Sequence, residues 1–395
     1  KSQFTLSLIL CRFFSLFHRG VPTIGIGVLV VSSRVANRFR FAGVMEWHRI
    51  LQLLAVLVST ATAYRTAHFD LQRYNDFPDF QAYLVRTSRD NPGLVRLLHI
   101  GNSHEGRPLL GVMIGKPRPH KKPMVWLDGG NHAREWPAFH VAVYFIEQLV
   151  NNYDSDKKIR MYLDELDFLI FPVLNPDGFV YSRSDYKATI RHWRKNRAPE
   201  NCTGTTASRK ELCCEGVDLN RNYDFAFSQS LYPFNNPCSD EYQGPEPFSE
   251  PESRAVRDFI LSPQINGRLH AVVSLHTHGQ LLILPYNSRK RTYPEDFWQL
   301  KELADRAAEA MAGLRDTKYK VGTAADMLGP ATGGATDWIK KNTKVKYVYV
   351  IELPPDMKTW FAFQIKPHWL IPIGKETWAG IKVIVDQVIR EFVDK

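Results

Sequence analysis

The chain is expected to fold as an α/β protein: a single domain with a mixed, mostly parallel central sheet and helices on both faces. Three observations lead there. Short β-rich apolar runs recur at Leu97–Ile100, Met124–Leu127, Phe168–Leu174, His270–Leu275 and Tyr347–Ile351. They are apolar at consecutive positions, as strands covered on both sides are. Between them, Ala138–Val150, Phe297–Leu314 and Gly380–Val393 repeat apolar residues three and four apart, the spacing of an amphipathic helix. A shorter segment, Ser249–Leu261, opens with Ser249-x-x-Glu252, which reads as a capping box. No repeat, low-complexity tract or long linker interrupts residues 64–395, so the alternation is assigned to one unit.

The N-terminus reads differently. Met45-Glu-Trp-His-Arg49 is a short basic lead, Ile50–Val58 an apolar run, and Ala61-Thr-Ala63 a small-x-small cleavage site. Residues 45–63 are therefore expected to be a secretory signal, too short to span a bilayer. Residues 1–44 precede that Met and are expected to be a non-native upstream segment. The mature protein is then extracellular and free of membrane. Apolar content of 44% and charged content of 23% indicate a globular chain. The formal charge is +10, but residues 1–63 hold +6 of it and the remainder +4. That mildly basic body gives no reason to expect a nucleic-acid partner.

Four of the five cysteines, Cys202, Cys213, Cys214 and Cys238, share one window. In an exported protein this suggests two disulfides. Adjacent Cys213 and Cys214 rarely bond to each other, which leaves two connectivities; Cys214–Cys238 with Cys202–Cys213 is our choice. A structural zinc knot is the alternative, and no C-x-x-C pair supports it. Asn201-Cys-Thr203 is an N-glycosylation sequon.

Polar motifs cluster where the strand-like runs end. Asp128-Gly-Gly-Asn-His132 follows one run and Asn175-Pro-Asp-Gly178 a second; His276 ends a third and Glu352 a fourth. In open α/β sheets, ligands bind beyond the carboxyl ends of strands. His132 and Glu135 stand three apart in a loop entered through two glycines, so one turn can present both to an ion. His276 is the best candidate for a third ligand. Two His and one Glu leave a position open, as a catalytic zinc requires. Asp218 is a natural acceptor for His132, holding its tautomer.

Several motifs occur in order: Gly101-x-Ser-x-Glu-Gly-Arg-Pro108, His132-x-Arg-Glu-Trp136, Asn175-Pro-Asp-Gly178, Trp193-Arg-Lys-x-Arg197, Gly216-Val-Asp-x-Asn-Arg-Asn222, His276-x-x-x-Gln280 and Glu352-Leu353. From about Tyr74 to the C-terminus the sequence resembles the zinc metallocarboxypeptidase family of the carboxypeptidase A/B type. The resemblance implies one Zn²⁺ on His132, Glu135 and His276, acidifying a water and polarising the scissile carbonyl. It implies Glu352 as general base and Arg194 as the donor that stabilises the oxyanion. Asn220 and Arg221 match the pair that fixes the substrate's terminal carboxylate, a task suited to the planar guanidinium fork. Arg134 and Arg191 match positions contacting substrate further from the cut, whereas Lys195 and Arg197 read as a solvated basic face. The expected partners are peptide or protein C-termini, met by a monomer.

The sequence also departs from the family. A mobile Tyr expected shortly before Gly333-Gly334 is replaced by Gly329, which predicts weaker substrate binding with the chemistry intact. The position that reads the C-terminal side chain aligns with Thr336, with Asn287 and Ala331 nearby. Thr336 carries no charge, so neutral aliphatic or aromatic C-terminal residues are expected. Between Ala63 and Phe69 there is no room for the family's usual pro-domain. Two other readings compete: a catalytically weakened zinc- and peptide-binding relative, and an amidohydrolase of small acylated amino acids.

Overall fold

The computed structural model describes residues 69–205, 211–228 and 231–394. The expected signal peptide, its cleavage site and the expected upstream segment lie outside them. In chain order the elements are α1 (Phe77–Asp90), β1 (Val95–Asn102), β2 (Pro108–Ile114), β3 (Met124–Asp128), α2 (Trp136–Asn151), α3 (Lys157–Glu165), β4 (Asp167–Phe171), α4 (Pro176–Arg183) and α5 (Ala188–Arg191). They continue as β5 (Asn201–Thr205), β6 (Glu211–Cys214), α6 (Pro251–Leu261), β7 (Leu269–Gly279), β8 (Leu281–Leu284), α7 (Phe297–Arg315), β9 (Lys320–Thr323), α8 (Ala324–Met327), α9 (Ala335–Asn342), β10 (Tyr347–Asp356) and α10 (Leu370–Phe392).

Eight strands form one sheet in the order β1-β2-β4-β3-β7-β10-β8-β9. Its centre is parallel (β4 with β3, β3 with β7, β7 with β10), and antiparallel pairs join β2 to β1 and β4, and β8 to β10. The consecutive apolar residues of these strands divide between two cores. Val125 and Leu127 pack into the larger cluster with α1, α2, α7 and α10, whereas Met124 and Trp126 pack into the smaller one with α6 and α9. Val273, Tyr349 and Ile351 likewise join the first cluster, and Val272 and Val348 the second. That division is the period-two alternation of a strand covered on both faces. Each such side chain, fully buried, contributes about 1.5–3 kcal/mol.

Two local expectations are corrected and one strand is added. The capping box at Ser249 does not form: the N-cap is Glu250, without a side-chain cap bond. The Ser249 hydroxyl instead receives Asn222 Nδ2 and donates to Glu250. Helix α10 begins at Leu370, ten residues before Gly380, because Pro372 falls in the first turn, where a missing N–H breaks no intrahelical bond. Strand β2 was not among the expected runs; at its central Gly111 a Cβ would collide with the Phe171 ring. Both disulfides pair as chosen, Cys202 with Cys213 and Cys214 with Cys238.

Candidate metal centre and substrate cleft

The β3 strand ends at Asp128, and Gly129-Gly130 turn the chain towards α2. Gly130 has φ of +74°, and a Cβ there would meet the Phe139 ring at 2.6 Å, so glycine is required for the loop to reach its place. Asn175 ties that loop down: its Nδ2 donates to Asn131 O and Lys195 O, both at 3.1 Å. The Asn175-Pro-Asp-Gly178 motif thus brings no reacting group to the sheet edge. It braces the two segments that carry His132 and Arg194. Asp177 of the same motif accepts from Arg107 and Ser103, so two motifs distant in sequence meet here.

His276 and Glu352 lie inside their strands rather than at the ends, since β7 runs on to Gly279 and β10 to Asp356. They are direct partners in the parallel register of β7 and β10, Glu352 opposite His276. His132 Nδ1 lies 2.8 Å from Glu135 Oε1, and His276 Nδ1 lies 3.0 Å from Glu135 Oε2 and 3.0 Å from His132 Nδ1. On its far side His132 Nε2 donates to the fully buried Asp218 at 3.0 Å, which leaves the Nδ1 lone pair facing His276 and Glu135. The Thr277 N–H holds Glu135 Oε2 at 3.1 Å.

The two Nδ1 atoms and the Glu135 carboxylate converge on one buried point, where each can turn a lone pair to a shared cation, and nitrogen and oxygen donors suit zinc. Among the described residues, two other groups bring potential ligand atoms within 4.8 Å of one another. One uses Cys202 and Cys213, whose sulfurs are bonded to each other. In the other, His104 with Glu250 and Glu252, Asn196 Nδ2 already sits on both carboxylates at 2.6 and 3.1 Å.

The charges at the centre are mutually dependent. Burial would raise the Glu135 carboxyl, but His132 and His276 hold it well below its ordinary range. Burial acts the same way on Asp218, and Arg194, His132 and Arg221 overcome it. Glu352 differs: burial, with Glu135 nearby, pushes it up to about 7 against His276, Arg194 and Arg221. A carboxylate that takes up a proton near neutrality can act as base and then acid.

His132 and Glu352 border a cleft of about 550 Å³ lined also by Arg134, Arg194, Asn220, Arg221, Asn287, Gly329, Ala331 and Thr336, with Ile283 and Val350 adding apolar wall. Arg194 Nε donates to Asp218 at 2.8 Å. Arg221 is positioned by Gly333, whose φ is +66° and where a Cβ would overlap the Arg221 carbonyl. Asn220 Oδ1 accepts from Ala335 N at 3.0 Å. Asn287 frames the pocket with both amide atoms engaged: its Nδ2 donates to Asp337 (2.9 Å) and its Oδ1 accepts from Ala324 N (2.6 Å). Gly329 has φ of +138° with open space where a side chain would project.

Arg191 is not part of the cleft lining. It is buried, stacked 3.5 Å from the Trp136 ring centroid, and donates to Arg134 O and Phe363 O. Burial lowers its pKa to about 10. Its Nη1 holds the Arg134 carbonyl, so from its buried place it braces Arg134, which does line the cleft. Lys195 is also buried rather than solvated, donating to Pro237 O at 2.7 Å, and Arg197 stacks on Tyr181. Sequence reasoning missed Asp240 and Glu241, which pair with Arg134 and Arg221. Their position just after Cys238, whose disulfide anchors the segment, was the available signal.

The sheet and its metal-ligand set define a metallohydrolase, and comparison with known proteins gives the same class. A zinc carboxypeptidase family model matches residues 80–380. The chain is 35% identical to carboxypeptidase A2 of Rattus norvegicus over 82% of this chain and 72% of that protein. It is 35% identical to carboxypeptidase B of Astacus astacus over 81% of this chain and 98% of that protein. Among solved structures, carboxypeptidase A from Helicoverpa armigera superposes with a TM-score of 0.72 at 28% identity, covering 88% of this chain and 82% of that one. Bovine thrombin-activatable fibrinolysis inhibitor, in complex with tick carboxypeptidase inhibitor, gives 0.70 at 29% identity, covering 81% and 99%. The chain belongs to the zinc carboxypeptidase family. It is a hydrolase, an exopeptidase acting on peptide C-termini with one zinc ion.

Proposed function

We propose that this enzyme is secreted and, as a monomer, removes neutral aliphatic or aromatic residues from peptide C-termini. One observation carries the reading. A single cleft is lined by His132 of the three-residue ligand set, by Glu352, by an uncharged Thr336 and by the guanidinium of Arg221. His132, Glu135 and His276 would hold the zinc, which supplies Lewis acidity for a water and a carbonyl. Glu352 takes the water's proton and returns it to the leaving amine. Arg194, kept charged by Asp218, donates to the oxygen that gains negative charge. Arg221 and Asn220 meet the terminal carboxylate, and Thr336, Ile283 and Val350 shape the pocket for an uncharged side chain. Extracellular placement is supported by the two disulfides. Among the described residues no helix is long and apolar enough to cross a membrane.

Hydrolysis of matched peptides ending in Leu, Phe, Lys and Glu, and of the C-terminal amide of the Leu peptide, tests this. Leu and Phe are expected to exceed Lys and Glu in kcat/KM by at least about tenfold. The amide, which leaves Arg221 without its anion, is expected to lose about a hundredfold. A preference for Lys, or an amide cleaved as well as the acid, would overturn the assignment. The open space at Gly329 further predicts a KM near the upper end of the usual range, about 1 mM, with an ordinary kcat.

A further inference from the structure

Three guanidiniums line the cleft, and each carries a carboxylate of this chain. Arg194 pairs with Asp218 at 2.8 Å, Arg134 with Asp240 at 2.8 Å, and Arg221 with Glu241 at 2.7 Å. The pairs are not equivalent. Asp218 is fully buried and cannot leave, whereas the Glu241 side chain is 41% exposed and can turn into water. Its backbone is fixed nonetheless, between the Cys214–Cys238 disulfide and the buried Tyr242, with Glu241 N donating to Ser239 Oγ at 3.0 Å.

The fork of Arg221 is only half used. Nη2 donates to Glu241 Oε2 and Nη1 to Asn220 O, while Nε is buried and has no acceptor among the described residues. Nε and Nη2 form one edge of the guanidinium, the edge a carboxylate meets with two parallel hydrogen bonds. A buried donor without an acceptor is costly. A carboxylate bridging Nη2 and Nε satisfies both, which the single contact from Glu241 does not.

We propose that Glu241 is an internal competitor for the substrate's C-terminal carboxylate. It neutralises Arg221 in the empty cleft and is displaced by an anion that grips both nitrogens. This rests on the reading of Arg221 as the carboxylate clamp. Glu241 is a positioning residue: it touches no reacting atom, so it sets KM and leaves kcat alone. It also acts as a filter, because an anion that offers Arg221 a single oxygen gains nothing over Glu241.

The test uses the zinc-loaded enzyme and a peptide ending in Phe, with Glu241→Gln, Glu241→Ala, Arg221→Ala and the Glu241→Gln/Arg221→Ala double variant. Both Glu241 variants are expected to lower KM about two- to fivefold, the range an exposed ion pair gives, with kcat unchanged. With Arg221→Ala already present, Glu241→Gln is expected to change nothing. If Arg221→Ala raises KM but neither Glu241 variant lowers it, the competitor is refuted and the clamp stands. If Arg221→Ala leaves KM unchanged, the clamp reading fails and the competitor with it. A Glu241 effect of equal size in both backgrounds would show a structural role and refute the proposal.

Discussion

Glu352→Gln is expected to lower kcat by about a thousandfold while zinc stays bound, the middle of the range that a positioned acid–base group provides. The position explains the size. Glu352 is held opposite His276 by the β7–β10 register, so backbone pairing fixes its distance from the ligands. Gln keeps that shape and removes the ability to take a proton. The pH profile adds an independent check. The working form is the carboxylate, and burial has raised its pKa to about 7. As pH falls the group protonates and activity is lost, so kcat/KM has an acid limb at or below about pH 7, since a bound cation favours the ionised form. The glutamine variant is expected to lack that limb. A variant with more than about a tenth of wild-type kcat, or the same acid limb, would remove Glu352 from the proposed role.

His276→Ala is expected to abolish peptidase activity and to weaken zinc binding by more than about a hundredfold, beyond what loss of a supporting residue does. His276 supplies one of three donor atoms, and it alone comes from β7, so no neighbour can replace it. The fold should survive, because both apolar clusters form without the site. Chelation is expected to lower the melting temperature of the wild type, since a ligand at 100 times its Kd adds about 2.7 kcal/mol, and to leave the variant unchanged. Metal analysis after dialysis, with melting curves on both proteins, reads this out. Full zinc content in the variant would contradict the ligand set.

Much of the site was legible because its chemistry is local in sequence. His132 and Glu135 share one turn, and His276 and Glu352 directly follow apolar runs whose consecutive apolar residues mark them as covered strands. The sheet was legible for the same reason, through runs that are apolar at every position because both faces are covered. What escaped depends on contacts between distant segments. Arg191 is matched by resemblance to a substrate-contacting position, and its packing on Trp136 and bond to the Phe363 carbonyl could not be read from sequence. Ser249 reads as a helix cap, yet Asn222 takes its hydroxyl. Glu241 is an ordinary exposed acid in sequence and gains meaning only from lying on Arg221.

The most direct measurement is anomalous diffraction at the zinc edge from crystals of the zinc-loaded protein. The expected result is a single peak about 2.0–2.2 Å from His132 Nδ1, His276 Nδ1 and Glu135, with no second peak at His104. A peak bound through either Nε2, a peak on Asp218, or zinc found elsewhere with these three side chains unliganded would contradict it.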